Sequence, residues 1–525
     1  MDIALYDTTL RDGTQREGLS LSVADKLKIA RELDRFGMHY IEGGWPGSNP
    51  KDAAFFAQAA QMTWQHAKIA AFGSTRRAHV RAEDDANLHA LLDARTPVVT
   101  LVGKSWTLHV TEILETTLAE NLAMIGDSVA LMKAHGKEVV YDAEHFFDGF
   151  RADAEYALAT LRAAAEAGAD WLVLCDTNGG SLPDWITQVV AAVKAELDVP
   201  LGIHTHNDGE LAVANSLAGI AAGCRQVQGT INGYGERCGN ANLIAVVPNL
   251  QLKMGHQCVA PSQLARLTEL SRTVSEIANL NPDEHAAYVG NSAFAHKGGI
   301  HVAAVAKVEH SYQHIEPTQV GNRKRVVISE LAGRGNVRMR SDELGITSGG
   351  IERSVLDRVK LLESKGFQFE AAEGSFELLV RRAAADYTPP FTLVDVMIVV
   401  EQRRGVDMLA EATVKLRVGD EVYHTAAEGN GPVNALDQAM RKALLPSYPE
   451  LADVHLVDYK VRILDSDSAT GATTRVLLEA ARGDERWTTV GCSANIIEAS
   501  WQALADSLEL PLLRAASKKS QAKAA

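Results

Sequence analysis

Short apolar runs alternate with longer amphipathic segments over the first 250 residues of the chain. Each apolar run is followed by polar or glycine-rich residues before the next helical stretch begins, which is the pattern of repeated βα units around a parallel sheet. The eight runs begin at Ile3, Tyr40, Lys68, Pro97, Val139, Trp171, Leu201 and Gln226. Eight units predict a closed (β/α)8 barrel, a fold that typically takes about 250 residues. We expect this barrel to span residues 1–260.

Helical spacing is clearest after the first run, where Ser22 can cap a helix that Gly37 ends. Residues of unusual chemistry cluster directly after the predicted strands. These clusters are 8–15, 42–49, 142–149, 176–180, 204–208 and 232–242. In a (β/α)8 barrel, the carboxyl ends of the strands carry the active site. The pattern therefore predicts a functional face at this end.

The periodicity changes after the barrel. Residues 261–385 have a helical, broken pattern, which predicts a helical linker subdomain that contributes to the active site. Strand patterns at 393–400, 412–418 and 422–428 precede a helix at 433–444, and a similar order recurs at 454–464, 474–480, 487–490 and 495–508. This predicts an α+β domain of two βββα repeats over 386–515. The small, polar tail 516–525 is predicted to be disordered.

Composition and charge exclude several classes of protein. The formal net charge is −15, which gives no basic surface for nucleic acid. The five cysteines form no C-x-x-C pair, so neither a disulfide framework nor a thiolate zinc site is expected. No signal peptide and no run of transmembrane length is found, so we expect neither secretion nor membrane insertion. A reducing cytoplasm is the expected compartment.

His204 and His206 end the seventh predicted strand, and the two-residue period of a strand directs both imidazoles to one side. Asp12, at the mouth of the first strand, can add a carboxylate because strands one, seven and eight are neighbours in a closed barrel. Two imidazoles and one carboxylate leave open positions on a metal ion. We expect Mg²⁺ or Mn²⁺, with Zn²⁺ also compatible, and Asn240 as a weaker ligand. The alternative is a pair of satisfied polar side chains.

Other candidates surround this predicted metal site. Arg11 could clamp a carboxylate or polarise a carbonyl oxygen, and Thr177 could hold the same substrate carboxylate. Glu144 could orient a group or accept a proton. His301 lies outside the barrel, and Tyr312 follows it by eleven residues. A salt bridge, a helix cap and solvated or structural side chains remain open as their respective alternatives. These residues alone do not select a reaction.

Three segments carry a family resemblance: DTTLRDGTQ at 7–15, HTHND at 204–208 and GERCGNA at 235–241. They resemble the isopropylmalate, homocitrate and citramalate synthase family of metal-dependent condensing barrels. The resemblance extends over nearly the whole chain. The segment 41–52, IEGGWPGSNPKD, is most similar to the citramalate synthase branch. Arg16 and Glu17 depart from the small residue and proline that are more usual there.

The resemblance implies a role for each candidate. The implied metal ligands are Asp12, His204, His206 and Asn240. The implied acceptor contacts are Arg11, Thr177 and Tyr141. The implied catalytic residues are Arg11, Glu144, His301 and Tyr312, with His301 as the base that removes a methyl proton from acetyl-CoA and Glu144 as the other candidate.

The family also implies a reaction and partners. The implied reaction is the condensation of acetyl-CoA with pyruvate and water to give citramalate and CoA, in a homodimer whose C-terminal domain binds isoleucine. A 2-isopropylmalate synthase, which uses 2-oxoisovalerate, is the nearest alternative. A hydroxymethylglutaryl-CoA-type lyase is more remote because it normally lacks the C-terminal repeats. A non-enzymic regulator would be expected to have lost part of the set Arg11, Asp12, His204 and His206.

Overall fold

The structure is a computed structural model that describes residues 3–346, 350–402, 408–465, 469 and 471–524. The chain divides into two compact units. The first comprises Met1–Phe294 and Ile315–Lys324, and the second comprises Ala295–His314 and Arg325–Ala525. Among the described helices, none is long and apolar enough to span a bilayer.

Eight parallel strands close into a barrel in the first unit, in sequence order, with β1 paired to β8. The strands are β1 (Ala4–Asp7), β2 (Tyr40–Glu42), β3 (Lys68–Ser74), β4 (Val98–Lys104), β5 (Glu138–Glu144), β6 (Trp171–Asp176), β7 (Leu201–Thr205) and β8 (Gln226–Gly229). The predicted barrel is confirmed. Every strand starts within one residue of its predicted position, because buried parallel strands are apolar runs with polar ends.

Helices surround this barrel. They are α1 (Val23–Phe36), α2 (Pro50–Ala59), α3 (Ala86–Asp93), α4 (Leu118–Ala134), α5 (Phe146–Ala152), α6 (Ala154–Glu166), α7 (Pro183–Glu196), α8 (Ala212–Ala222), α9 (Leu243–Pro248), α10 (Pro261–Leu264) and α11 (Leu267–Ile277). Helix α1 begins at a capping box formed by Ser22 and Asp25. It ends at Gly37, whose φ of 98° favours glycine.

Apolar side chains of the strands fall into two layers. The inner layer fills the barrel and includes Tyr6, Val140 and Val173. The outer layer lies between strands and helices and includes Tyr141 and Leu172. Neighbouring residues of one strand, such as Val140 and Tyr141, therefore face opposite layers. The same alternation decides which polar residues at the strand ends reach the barrel mouth.

The first unit extends beyond the predicted boundary at residue 260. Leu267, Leu270 and Val274 of α11 are buried in the core of the barrel unit. Arg266 adds an ion pair to Glu32 of α1, with 3.3 Å between nitrogen and oxygen. Packing against α1 thus assigns α10 and α11 to the barrel unit rather than to the linker.

The second unit begins with helices and a short two-stranded sheet. These elements are β9 (Ala295–His296), α12 (Gly299–Lys307), β10 (Arg325–Val326), α13 (Arg334–Glu343), α14 (Glu352–Glu363) and α15 (Glu373–Arg382). Residues of α13, α14 and α15, among them Val337, Val355 and Phe376, form a small buried core.

Two βββα repeats follow, as predicted. The first contains β11 (Thr392–Glu401), β12 (Leu409–Val418), β13 (Glu421–Gly429) and α16 (Pro432–Leu444). The second contains β14 (His455–Ile463), β15 (Thr474–Arg482), β16 (Glu485–Ser493) and α17 (Ile496–Ala524). Each repeat forms a three-stranded antiparallel sheet. The α+β prediction for this region is confirmed.

The end of α17 differs from the predicted disordered tail at 516–525. The helix continues to Ala524. The segment AASKKSQAKA at 515–524 contains no glycine or proline and is rich in alanine and lysine, which are strong helix formers. A small, polar composition therefore does not by itself interrupt a helix.

Candidate metal centre

A cavity of 590 Å³ opens at the carboxyl ends of the barrel strands. Six of the predicted site residues line it: Arg11, Asp12, Glu144, Thr177, His204 and His206. They come from the ends of strands β1, β5, β6 and β7. The cavity is therefore built by strand ends that are far apart in sequence, as expected for the functional face of such a barrel.

His204, His206 and Asp12 meet at the base of this cavity. The Nε2 atoms of the two histidines are 3.2 Å apart, and Asp12 Oδ2 lies 3.6 Å from His204 Nε2. Thr205, between the histidines, faces the other way and bonds to Ala212 O and Ser216 Oγ at 2.9 Å. Strand alternation thus places both imidazoles on one side. One ligand atom from each of the three residues lies within 4.8 Å of the others.

The electrostatics of these groups suit a cation. Burial would raise the pKa of Asp12, but Arg11 and the two histidines outweigh it and lower the pKa to about 2. Burial, followed by His204, lowers the pKa of His206 to about 3. Burial likewise lowers the pKa of His204. At neutral pH the cluster is therefore one carboxylate and two neutral imidazoles, the protonation states that bind metal ions.

Asn240 supplies the observation that favours a bound ion. Its Nδ2 donates to Asp12 Oδ1 at 3.0 Å. Its Oδ1 is buried, and among the described residues it has no hydrogen-bond partner. A buried acceptor without a partner is unfavourable unless something else satisfies it. The Nε2 atoms of His204 and His206 face each other across 3.2 Å beside it, so the residues fit a divalent metal ion.

Arg11 lies beside this cluster and is held on three sides. Its Nε donates to Glu42 Oε2 at 2.8 Å, and its Nη1 donates to Asp12 Oδ2 at 3.0 Å. Its guanidinium carbon lies 3.9 Å from the centre of the Phe72 ring. Burial would lower the pKa of Arg11, but Glu42 and Asp12 raise it well above its ordinary value. The site therefore keeps a fixed positive charge at its edge.

Thr177 and Glu144 also line the cavity. Thr177 Oγ1 accepts a hydrogen bond from the backbone N–H of His145 at 2.9 Å. Glu144 forms an ion pair with Lys104, which also lines the cavity. Both side chains are thus held by neighbours and remain available to a ligand in the cavity.

Family models match three consecutive parts of the chain. Residues 2–274, just over half of the chain, match the HMGL-like family. Residues 288–366 match the homocitrate synthase post-HMGL domain-like family, and residues 370–511 match the LeuA allosteric (dimerisation) domain. The chain belongs to the HMGL-like family.

Curated relatives of this HMGL-like chain match it over nearly its whole length. The (R)-citramalate synthase of Synechocystis sp. is 54% identical over 97% of the chain and 96% of that protein. The (R)-citramalate synthase of Geobacter sulfurreducens is 52% identical over 97% of each. A Methanopyrus kandleri protein named as a 2-isopropylmalate synthase is 32% identical over 95% of the chain and 96% of that protein. The predicted family resemblance is confirmed.

Solved structures of HMG-CoA lyases match part of the chain. The lyase of Bacillus subtilis aligns with a TM-score of 0.46 at 19% identity. The alignment covers 54% of this chain and 95% of that chain.

Tyr141, a predicted substrate contact of this HMGL-like chain, does not reach the site. Its side chain is fully buried in the layer between strands and helices, next to Gly103. It does not line the cavity, whereas Asp142 and Glu144 do. The reason is the alternation along β5, which directs residues 140, 142 and 144 inward and residue 141 outward.

His301 and Tyr312 belong to the second unit of the HMGL-like chain. Their rings stack with centroids 4.4 Å apart and an interplanar angle of 26°. His301 is exposed on α12, and Tyr312 is 46% exposed. Their predicted catalytic roles stay predictions.

Sequence reasoning gave no role to Glu42, which is fully buried below Arg11. Glu42 accepts hydrogen bonds from Arg11, from Thr8 Oγ1 at 2.6 Å and from the Tyr6 hydroxyl at 3.2 Å. A charged residue at the end of a short buried strand, before two glycines, was the available signal. Such a residue is rarely buried without a partner, and here the partner is Arg11.

The loop that carries Asn240 depends on a glycine. Gly239 has a φ of +94°, and a Cβ there would lie 2.0 Å from Gly233 O. We expect Gly239→Ala to weaken Mn²⁺ binding by about 10-fold, because strain of about 1–3 kcal/mol must displace the neighbouring Asn240. Isothermal titration with Mn²⁺ measures this affinity.

Gly180→Ala is the matched control on the same face of the barrel. A Cβ at Gly180 would have no atom within 4 Å, so Mn²⁺ affinity should stay at the wild-type value. Equal affinities for the wild type and Gly239→Ala would show that this loop does not position a metal ligand.

Proposed function

We propose that this chain is an (R)-citramalate synthase, an acyltransferase that condenses acetyl-CoA with pyruvate and water to give citramalate and CoA. The observation that carries the proposal is the buried cluster of Asp12, His204 and His206 with the guanidinium of Arg11 beside it. Relatives named as (R)-citramalate synthases match 97% of the chain, which supports the same activity here.

The proposed metal site consists of Asp12, His204, His206 and Asn240. Mg²⁺ and Mn²⁺ are the proposed ions, and two neutral imidazoles are also compatible with Zn²⁺. When bound, the ion supplies Lewis acidity that polarises the acceptor's oxygens. Asn240 fits because its unsatisfied Oδ1 gains a partner in the ion.

The chain's own residues would divide the remaining work. Arg11, with its fixed positive charge, would hold the acceptor and stabilise negative charge on its C2 oxygen as the new carbon–carbon bond forms. Thr177 would bind the acceptor's carboxylate through its hydroxyl. His301 is the proposed base that removes a methyl proton from acetyl-CoA, with Glu144 as the alternative and Tyr312 assisting. Water then hydrolyses the thioester and releases CoA.

Pyruvate is the proposed acceptor because bulky side chains crowd Arg11. Phe72 stacks on its guanidinium, and Trp45 packs edge-on against Phe72 with centroids 5.6 Å apart. Both line the cavity. We expect this aromatic wall to favour the methyl group of pyruvate over the isopropyl group of 2-oxoisovalerate, the acceptor of the alternative, a 2-isopropylmalate synthase.

Release of free CoA from acetyl-CoA tests the proposal. We expect kcat/KM to be at least about 10-fold higher with pyruvate than with 2-oxobutyrate, 2-oxoisovalerate or 2-oxoglutarate, since each surplus methylene group in a tight pocket changes binding by about 1–3 kcal/mol. A preference for 2-oxoisovalerate would instead support leucine synthesis. No release with any acceptor, with Mn²⁺ present, would contradict the condensing activity.

The C-terminal repeats, spanning 386–515, are the proposed regulatory and dimerisation domain. The proposed linker is the part of residues 295–385 that lies outside the barrel unit. The match to the LeuA allosteric (dimerisation) domain supports oligomerisation, and we propose a homodimer. Isoleucine is the proposed effector, since citramalate leads toward it. No disulfide joins the cysteines in the described part of the chain, and the cytoplasm is the proposed compartment.

A further inference from the structure

A chain of buried polar side chains runs from His204 into the barrel. Gln228 on β8 lies behind His204, and Asp142 on β5 lies behind Gln228. Gln228 is fully buried, and His204 and Asp142 are 4% and 3% exposed. The predicted catalytic set contains neither Gln228 nor Asp142. Buried polar groups in such a chain must satisfy one another, so their bonding pattern is constrained.

The acceptor atoms around Gln228 set the direction of the hydrogen bonds that link His204, Gln228 and Asp142. Gln228 Nε2 donates to Asp142 Oδ1 at 3.0 Å and to Gln226 Oε1 at 3.3 Å. A flipped Gln228 amide would instead turn its carbonyl oxygen toward both of these oxygens. Asp142, at the shorter distance, therefore holds the amide nitrogen of Gln228 away from His204. Gln226 does not fix this orientation, because its own Nε2 is buried without a partner among the described residues and its amide can turn.

The carbonyl oxygen of Gln228 consequently faces His204, with Oε1 2.9 Å from Nδ1. An oxygen that can only accept requires the proton of His204 to be on Nδ1. The lone pair of the imidazole is then on Nε2, the atom that faces His206 Nε2. This is the tautomer that a metal ion in the cavity needs.

We propose that Gln228, oriented by Asp142, is a positioning residue that fixes His204 in the tautomer that binds the metal through Nε2. Partners behind metal-binding histidines commonly fix ring orientation and raise ligand basicity in this way. The proposal rests on the proposed metal site. It does not depend on which acceptor or thioester the chain uses.

Asp142 acts on the Gln228 amide through Oδ1, which accepts from Gln228 Nε2 at 3.0 Å. Burial, then Glu42, raises the pKa of Asp142 to about 8, while Arg11 and the Gln228 amide act in the opposite direction. A carboxyl group keeps an acceptor oxygen whether or not it is protonated. An asparagine at this position would keep one as well.

Mn²⁺ titration of the full chain, without acetyl-CoA or any 2-oxo acid, tests the inference. We expect Gln228→Met to raise the Kd for Mn²⁺ by about 10–100-fold, the usual effect of losing a partner behind a metal ligand. Gln226→Met is the matched control, because it lies two positions earlier on the same strand and touches Gln228 but not His204. Its Kd should stay within about 3-fold of the wild type.

Asp142 provides a second, independent pair of variants. Asp142→Asn keeps an acceptor for the Gln228 amide and should leave the Kd near the wild-type value. Asp142→Ala removes it and should raise the Kd by about 10-fold. Thermal midpoints of the metal-free proteins report folding separately. A purely structural role would lower these midpoints without changing the Kd of the folded protein.

Three results would overturn the inference. One is a wild-type Kd in Gln228→Met, and another is an equal rise in Gln226→Met, which would indicate a general disturbance of β8. If Gln228→Met does not fold, a wild-type Kd in Asp142→Ala decides against it. Failure of the proposed reaction looks different, since Mn²⁺ would still bind while no CoA is released.

Discussion

His204→Ala is expected to lower kcat/KM for CoA release by about 1,000-fold or more while the protein stays folded. The substitution removes one of two imidazoles from a cluster that is almost fully buried. A catalytic metal ion contributes several kcal/mol of charge stabilisation, and each 1.36 kcal/mol is a factor of about ten in rate. The measurement is CoA release with saturating Mn²⁺, together with the thermal midpoint.

His135→Ala is a suitable control for this experiment, because His135 is exposed and lies outside the cavity. Its activity should equal that of the wild type. Undiminished turnover in His204→Ala, or full activity of the wild type in metal-depleted buffer, would contradict a metal-dependent reaction.

Arg11→Lys is expected to lower kcat by about 100–1,000-fold, the range for losing one preorganised donor at a developing oxyanion. A lysine ammonium cannot donate to Glu42 and Asp12 in one plane and also stack on Phe72, because it lacks the planar fork of arginine. The charge would remain, but its position beside the cluster would be lost. Steady-state kinetics with pyruvate as the varied substrate separates kcat from KM.

Arg16→Lys is the matched control for Arg11→Lys. Arg16 is exposed, five positions along the same loop, and its guanidinium carbon lies 5.3 Å from the Tyr234 ring centre. We expect kcat within about 2-fold of the wild type, as is usual for a surface substitution. A similar kcat in Arg11→Lys and Arg16→Lys would show that the guanidinium of Arg11 has no special role.

The barrel could be predicted from the sequence because strands that are buried on both faces appear as uninterrupted apolar runs. The run at Trp171, for example, is followed by Asp176 and Thr177 and marks both the strand and its active end. Barrel closure then brings Asp12 next to His204, although 192 residues separate them. The grouping of Asp12, His204 and His206 could therefore be predicted once the barrel was predicted.

Because these runs are apolar on both faces, the sequence did not show which side chains of a strand point into the barrel. On β5 both faces are buried, so the pattern of Val140, Tyr141 and Asp142 does not tell which residue points inward. The sequence pattern therefore did not show that Tyr141, an expected acceptor contact, points away from the cavity while Asp142 lines it. Glu42 and Gln228 were missed for a related reason, since their roles depend on partners from other strands. The boundary of the barrel unit at Phe294 was also missed, because it depends on how α11 packs against the barrel.

The hydrogen bond between Asn240 and Asp12 joins residues 228 positions apart. On a ribosome that adds about 5–20 residues per second, Asp12 waits on the order of tens of seconds for this partner. Until then, a nascent chain holds its carboxylate without the histidines and amide that complete the ligand set. A metal ion would consequently bind tightly only after the last strand has paired with the first. Metal binding would then stabilise the barrel only once it is complete.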